Sequence, residues 1–298
     1  MDDLQHPDVL KAIVKKLQLA SSEGLSRADV AVLFNQLVGS YHLLGMSRSH
    51  HQTWYRARVC DQGEVFHNVH QMIYPKNGSS SFNRASFPGA KVLYAGWNYR
   101  LALEEIGAKA GDTVQLVRLR VKPPIEFRCA IIGEYQAIFN SGRSIINSEK
   151  SELAFQDSLR MHPAYVFAQA FVDSAIAEIF RIKPDGPKDY LVSATIAEDF
   201  ILNRAQGLMY PSVRTAHCVN LAVRAEEFDK NFEVLDTMVF KVLGYHGYGL
   251  YALEPVINTC EISADGAFLW DSKRVITSTL GPRRDEQIPA DFVGWRRQ

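Results

Sequence analysis

Five side chains in this sequence have the chemistry that is needed to handle a nucleotide with a breakable N-glycosidic bond. Arginines suit phosphate, because the guanidinium fork matches two oxygens and stays charged. An aromatic ring offers a stacking face for a planar base, and a hydroxyl can fix an amide or a ribose. A carboxylate can stabilise the cationic sugar that forms during glycosidic cleavage. The residues concerned are Arg56, Arg84, Tyr94, Glu105 and Ser212.

Several other kinds of site have no signature in the chain. It contains no Walker A loop, no G-x-G-x-x-G after a strand, no H-E-x-x-H and no G-x-S-x-G elbow. His67 and His70 lie three residues apart, but no third ligand follows at a recognisable spacing, so no metal is expected. Cys218 adjoins His217, yet neighbours on a strand point to opposite faces and would not meet as nucleophile and base.

The elements that must position these side chains alternate irregularly between strands and helices. Residues 54–59 have strand character, which places Arg56 and Arg58 on one face. A helix over 99–107 carries Glu105 and ends at Gly107. The remaining predicted strands are 92–95, 113–121, 208–210, 219–223, 233–243 and 267–270, and the remaining predicted helices are 151–159, 164–180 and 193–203. This mixed order predicts an α+β fold.

The N-terminal part of the chain has a helical pattern. Ser26 is a plausible N-cap with Asp29 three residues later, in the manner of a capping box. The apolar positions of the two predicted helices are Val9, Leu10, Ile13, Val14 and Leu17, then Val30, Val32, Leu33, Leu37 and Val38. The pair either packs on the main domain, which we favour, or forms a docking arm for a partner. Residues 46–52 are polar and are interpreted as a linker.

Charge and cysteine usage bear on partners and compartment. Lys plus Arg equals Asp plus Glu, at 33 each in 298 residues, so no bulk attraction to nucleic acid or anionic membrane is expected. The four cysteines are scattered, which favours a reducing compartment. Neither a signal-peptide pattern nor an apolar run of ~18–20 residues is present, so a cytoplasmic location is expected.

Three separate segments of the chain resemble the RES domain family. Residues 84–95, RASFPGAKVLYA, are similar to its signature G-R-x-N-P-x-G-x-P-x-L-Y-x-A, which precedes a helix ending in A-x-x-E, here at Ala102 and Glu105. Residues 55–58, YRAR, are similar to its opening Y-R-x-R strand, and residues 207–213, GLMYPSV, to its G-x-x-Y-P-S turn. Asn220-Leu221 resembles the N-L that follows. The resemblance covers about residues 52–230.

The central segment departs from the family pattern at three positions. Ser86 stands where the signature has Asn, Pro88 lies one place late, and Asn83 replaces the Gly before the arginine. The spacing from Arg84 to Gly89 nevertheless agrees with the signature. These departures make Arg84 the least firmly aligned of the candidate residues.

The resemblance implies an ADP-ribosyltransferase-like fold, with a split antiparallel or mixed sheet and flanking helices. We expect an N-terminal helical extension over 1–50, a RES domain over 51–230 and a C-terminal extension packed on it over 231–298. It implies catalytic roles for Arg56, Glu105 and Ser212. It implies substrate-binding roles for Arg58, Arg84, Tyr94, Tyr210 and Asn220.

The activity that the resemblance implies is consumption of NAD⁺, the substrate, by a glycohydrolase or phosphorylase that cleaves the nicotinamide–ribose bond. Family members of this kind are toxins restrained by an Xre-like helix-turn-helix antitoxin. Transfer of ADP-ribose to a protein target and a non-catalytic nucleotide sensor remain as alternatives. A homo-oligomer also remains open, whereas direct binding of nucleic acid and attachment to a membrane are not expected.

Overall fold

The secondary structure of the chain mixes helices and strands throughout. A computed structural model describes residues 5–39, 41, 44–48, 52–215 and 218–270. The helices are α1 Pro7–Leu19, α2 Arg27–Val38, α3 Val69–Met72, α4 Tyr99–Ile106, α5 Glu134–Ser141, α6 Glu149–Met161, α7 Pro163–Arg181, α8 Leu191–Thr195 and α9 Ala225–Asn231. The strands are β1 Leu44–Arg48, β2 Thr53–Val59, β3 Val92–Gly96, β4 Thr113–Val121, β5 Phe127–Ile131, β6 Gly207–Pro211, β7 Val219–Arg224, β8 Phe232–Tyr245 and β9 Tyr251–Thr259.

The chain divides into two compact units, each built from separate segments. Unit 1 comprises Met1–Gln52, Tyr74–Ala95 and Val121–Phe232. Unit 2 comprises Thr53–Ile73, Gly96–Arg120 and Glu233–Gln298. The two units are therefore interleaved along the sequence, and the division at 50 and 230 stays a prediction.

Unit 1 contains a mixed sheet in the order β1-β5-β6-β7-β3. Strand β1 runs antiparallel to β5, β5 parallel to β6, and β6 antiparallel to β7. The strands β5, β6 and β7 are almost wholly buried apolar runs, as expected where both faces of a sheet are covered. Helices surround this sheet, and the α+β class with a largely antiparallel arrangement is confirmed.

The helices α1 and α2 pack on the hydrophobic core of unit 1. Leu10, Leu17 and Leu37 are buried in the same cluster as Ile176 of α7 and Phe180. The interpretation of the helical pair as a packed element is therefore confirmed, and the capping box at Ser26 and Asp29 is present.

Part of the predicted apolar faces is wrong. Val9 and Val32 are exposed, and Phe34, which the pattern did not select, is buried in the place of Val32. Helical spacing restricts the buried face to a stripe, so a run of adjacent apolar residues cannot all point inward.

Unit 2 contains the strand order β2-β4-β8-β9, with α4 packed on one face. Strand β2 pairs antiparallel with β4, with Arg56 opposite Val117, and β8 pairs antiparallel with β9. Leu103 of α4 shares a hydrophobic cluster with Ala57 and Leu116. Helix α4 ends as predicted at Gly107, whose φ of 63° lies in the left-handed region that favours glycine.

Two predictions about the ends of the main domain need correction. Met46, Ser47 and Arg48 are not a linker, because they belong to β1 and pair with β5. The rest of that predicted linker up to residue 51 lies outside the described residues. The segment 267–270 is not a strand, since Ala267 and Phe268 form only isolated bridges. The last part of the predicted C-terminal extension, 271–298, lies outside the described residues.

The helices of the described ranges are too short or too polar to cross a membrane.

Candidate functional site

The candidate residues fall into two groups, one in each unit. Unit 2 carries Arg56, Arg58 and Glu105, and unit 1 carries Arg84, Tyr94, Tyr210, Ser212 and Asn220. Their catalytic and substrate-binding roles stay predictions. Their local surroundings nevertheless show what each side chain can do.

Arg56 and Arg58 project from the same face of β2, as the alternation of strand side chains requires. Both are half-buried and hydrogen-bond to the backbone of α3: Arg56 Nε donates to the Met72 carbonyl at 2.9 Å, and Arg58 Nη1 donates to the Gln71 carbonyl at 2.6 Å. Burial lowers the pKa of Arg58, but a guanidinium remains charged at any physiological pH. Strand and helix thus orient two permanent cations side by side.

Helix α4 covers the opposite face of β2, the face that carries Ala57. Glu105 near the end of α4 is exposed, whereas its neighbour Glu104 is buried. Among the described residues, Glu104 Oε1 has no hydrogen-bond partner. Glu105 is thus the solvent-accessible carboxylate of this pair, and Glu104 is the buried one.

The hairpin of β6 and β7 gathers three candidates. Tyr210 lies directly opposite Asn220, and the Ser212 amide donates to the Cys218 carbonyl at 2.9 Å, which extends the pairing past the end of β6. Ser212 Oγ accepts from the amides of Arg214 at 3.0 Å and Thr215 at 3.2 Å. These bonds fix the hydroxyl oxygen at the start of the turn, and all three candidate side chains are buried or nearly so.

Tyr94 on β3 is hydrogen-bonded to residues 83–88, which carry the central family motif and are called the motif loop. Its hydroxyl donates to Ser86 Oγ at 2.8 Å and accepts from the Ala85 amide at 3.3 Å. Ser86 is fully buried and exchanges backbone hydrogen bonds with Asn83, of 2.9 and 3.2 Å. The sequence treated Ser86 only as a departure from the family pattern. In the fold it is the partner of the motif tyrosine.

Arg84 binds the C-terminal end of α7. Its Nη1 donates to the carbonyls of Phe180 at 2.5 Å and Ile182 at 3.1 Å, and its guanidinium lies 5.1 Å from the centre of the Tyr190 ring. Carbonyls at a helix C-terminus lack partners within the helix and carry partial negative charge. Arg84 therefore contacts the end of α7 through Nη1, which the sequence did not predict, and its role in substrate binding stays a prediction.

In unit 1, Phe180 connects Arg84 with the β6–β7 hairpin that carries Tyr210 and Asn220. The Phe180 carbonyl accepts from Arg84, and the Phe180 ring lies 5.5 Å from the ring of Tyr210, whose strand pairs with that of Asn220. Tyr94 packs against the same core cluster as Tyr210. Arg84, Tyr94 and Tyr210 thus all contact residues of this core.

Sequence reasoning missed further residues around the motif loop. Glu198 accepts a hydrogen bond from the Phe87 amide, and Arg27 lies over the Phe87 ring. Neither residue belongs to a family motif. In the sequence, Glu198 is marked only by its acidic neighbour Asp199 on the predicted helix 193–203, and Arg27 only by the predicted N-cap Ser26 before it. Among the described residues, no group of three His, Cys, Asp or Glu side chains is arranged to hold a metal ion.

The chain is thus an α+β protein in which β2 carries two arginines, the motif loop is hydrogen-bonded to Tyr94, and Ser212 is buried after the end of β6. The model of the RES domain matches residues 53–240, and the chain belongs to the RES domain family. This match includes all eight candidate residues and begins after the N-terminal helices. No protein among those with curated descriptions matches the chain.

Proposed function

We propose that this chain cleaves NAD⁺ at the bond between nicotinamide and ribose and acts as the toxin of a toxin–antitoxin pair. The observation that carries the proposal is the family match over residues 53–240, a range that contains every candidate residue. The residue types of the set agree with it, since cations, a carboxylate, an aromatic ring and a hydroxyl are what a charged dinucleotide requires.

The reaction balances without a metal or redox cofactor. The bond between ribose C1′ and the nicotinamide nitrogen breaks, and its electron pair neutralises the positive charge on that nitrogen. An oxygen of water or phosphate forms the new bond to C1′, and in hydrolysis one proton is released to solvent. The products are nicotinamide and either ADP-ribose or its 1-phosphate.

The main candidate residues take separate tasks in this scheme. Glu105 stabilises the oxocarbenium-like ribose, and its exposure leaves it accessible to a ligand from solution. Arg56 and Arg58 bind the pyrophosphate, and Arg84, whose Nη1 donates to the carbonyls of α7, stays a candidate for the same task. Tyr94 packs against the nicotinamide ribose, and the turn that holds Ser212 Oγ in place positions the nicotinamide end.

Two adjacent carboxylates provide a matched test. Nicotinamide release from NAD⁺ is followed for the wild type, Glu105→Gln and Glu104→Gln. We expect Glu105→Gln to lower the rate by roughly 10²–10³-fold, the effect of removing one group that stabilises transition-state charge. Glu104→Gln changes a buried neighbour on the same helix and should alter the rate by only a few-fold. Full activity of Glu105→Gln would show that Glu105 has no part in the reaction. A large loss in Glu104→Gln with full activity in Glu105→Gln would assign the stabilising role to Glu104 instead.

The products identify the ribose acceptor. Free ADP-ribose indicates hydrolysis, its 1-phosphate in phosphate buffer indicates phosphorolysis, and a mass increase on proteins indicates ADP-ribosyl transfer. Binding of NAD⁺ without any product would instead support a nucleotide sensor.

The toxin role predicts that expression arrests growth and that co-expression of an Xre-like helix-turn-helix antitoxin restores it, with both proteins in the cytoplasm. Homo-oligomerisation is tested by light scattering.

A further inference from the structure

We propose that Arg27, which lies outside the family domain, is a positioning residue for the motif loop 83–88. The N-terminal helical pair would then be part of the scaffold of the candidate site instead of an independent arm. The inference concerns unit 1 alone. Its effect on turnover rests on the proposed function, whereas its effect on the loop does not.

The first observation is the set of contacts made by the Arg27 side chain. Its guanidinium forms a forked pair with Asp199, in which Nε donates to Oδ2 at 3.0 Å and Nη2 donates to Oδ1. The same Nη2 also donates to Glu198 Oε2 at 3.3 Å. The centre of the guanidinium lies 3.9 Å from the centre of the Phe87 ring, within the range of a cation–π interaction. One side chain of α2 therefore contacts both an acidic pair and the motif loop.

The second observation is that Glu198 bonds to the motif loop as well. Glu198 Oε1 accepts from the Phe87 amide at 2.8 Å, while its Oε2 accepts from Arg27. Arg27 thus acts on Phe87 in two ways, directly through the ring and indirectly by orienting the carboxylate that binds the Phe87 amide. Charge-assisted hydrogen bonds of this kind are shorter and stronger than neutral ones, so they fix the backbone at Phe87.

The third observation is that Arg27 itself is held in place. It is the first residue of α2 and lies between the two members of the capping box, Ser26 and Asp29. Phe34 of the same helix packs edge-on against Phe200, with ring centres 4.7 Å apart. Phe200 belongs to the short π-helix Ile196–Ile201, the segment that also supplies the acidic pair. Single-turn π-helices occur often at functional sites, where they redirect side chains.

The consequence reaches Tyr94 through one intermediate residue. Phe87 follows Ser86, whose Oγ accepts the hydroxyl proton of Tyr94 at 2.8 Å. Loss of Arg27 leaves Glu198 and Asp199 adjacent without their shared cation, and the Phe87 ring loses its cover. The loop can then move, and Tyr94 loses the partner that sets its orientation.

The test compares Arg27→Ala and Arg27→Lys with Ile13→Val, a variant of the same helical pair that trims a buried side chain of α1. For Arg27→Ala we expect kcat/KM for NAD⁺ to fall about 10-fold or more, since small misplacements of positioning groups cost that much. Arg27→Lys should recover part of it, because lysine keeps the charge but loses the forked geometry. Ile13→Val should lower the melting temperature but leave kcat/KM near the wild-type value.

Hydrogen–deuterium exchange gives a readout that is independent of turnover. We expect amides of residues 83–90 to exchange faster in Arg27→Ala than in the wild type, with little change there in Ile13→Val. Unchanged exchange in Arg27→Ala, or equal acceleration in both variants, would overturn the positioning role. If the wild-type protein does not consume NAD⁺, the proposed function fails, and the exchange comparison still decides the inference about Arg27.

Discussion

The hydroxyl of Tyr94 donates a hydrogen bond of 2.8 Å to Oγ of the fully buried Ser86. This contact joins β3 to the loop that carries Arg84, and it uses Ser86, one of the three positions at which the sequence departs from the family signature. A tyrosine hydroxyl with a buried partner has both a structural and a chemical consequence.

Tyr94→Phe tests the structural part of that contact. The variant leaves Ser86 Oγ without its donor and the Ala85 amide without its acceptor, both in a largely buried setting. We expect a loss of about 1–3 kcal/mol in the free energy of unfolding, the penalty for unpaired buried polar groups. Urea denaturation followed by circular dichroism measures it. Tyr248→Phe, at a side chain that is 97% exposed, is the control and should stay within about 0.5 kcal/mol.

Arg84→Ala should destabilise the fold because the carbonyls of Phe180 and Ile182 lose a charged donor. Hydrogen bonds to charged groups contribute about 1.5–3 kcal/mol, so a loss near that size is expected in the same denaturation experiment. Arg160→Ala removes an exposed ion pair with Asp157 and should cost at most about 1 kcal/mol. Equal stabilities of the two variants would contradict the structural role of Arg84.

Asp173 should make stability depend on pH. Burial raises the pKa of this fully buried carboxyl to about 6, although hydrogen bonds from Gln136, Gly133 and Tyr41 act in the opposite direction. The folded protein therefore holds this proton more tightly than the unfolded chain, whose carboxyl has a pKa near 4. Its contribution to stability is fully present below about pH 4 and is lost as pH rises to about 6, a change of roughly 2–3 kcal/mol.

The measurement is thermal unfolding of the wild type and Asp173→Asn between pH 4 and 7. We expect the decline over this window to be smaller in the variant, which cannot titrate. Asp173→Asn should also be less stable at low pH, because an amide nitrogen would face the Gln136 amide in place of an acceptor oxygen. Ile13→Val, which removes no titratable group, is the control and should lower stability by a similar amount at every pH in this window. An unaltered pH profile in Asp173→Asn would be evidence against this assignment.

Gly78→Ala should disturb the close backbone contact between Gly78 and Gly89, which lie on either side of the motif loop. Gly78 has a φ of +77°, and an added Cβ would lie 2.1 Å from the carbonyl oxygen of Gly89, closer than any real contact. A Cβ in that place forces two backbone segments apart, so we expect a loss above about 2 kcal/mol. Gly39→Ala, in ordinary helical conformation with open space around it, should be neutral or stabilising by about 0.4–1 kcal/mol. Similar melting temperatures for both variants would contradict the steric argument.

Local patterns predicted much of the secondary structure because their causes are local. The capping box at Ser26 and Asp29, the end of α4 at Gly107 and the strand that carries Arg56 follow from residues within a few positions of each other. The family was also recognisable from sequence, since its three motifs keep their order and spacing. Segments without a strong local signal were missed, including β1, which is a strand because β5 lies beside it.

The sequence by itself determined the residue types, the α+β class and the membership of a family, since these depend on local propensity and on motifs that are read along the chain. Only the tertiary structure decided that Arg84 binds the end of α7, that Ser86 receives the Tyr94 hydroxyl, and that Arg27 reaches Phe87. These contacts join residues between 8 and 96 positions apart. They depend on which faces the packed elements present to each other, and no local pattern carries that information.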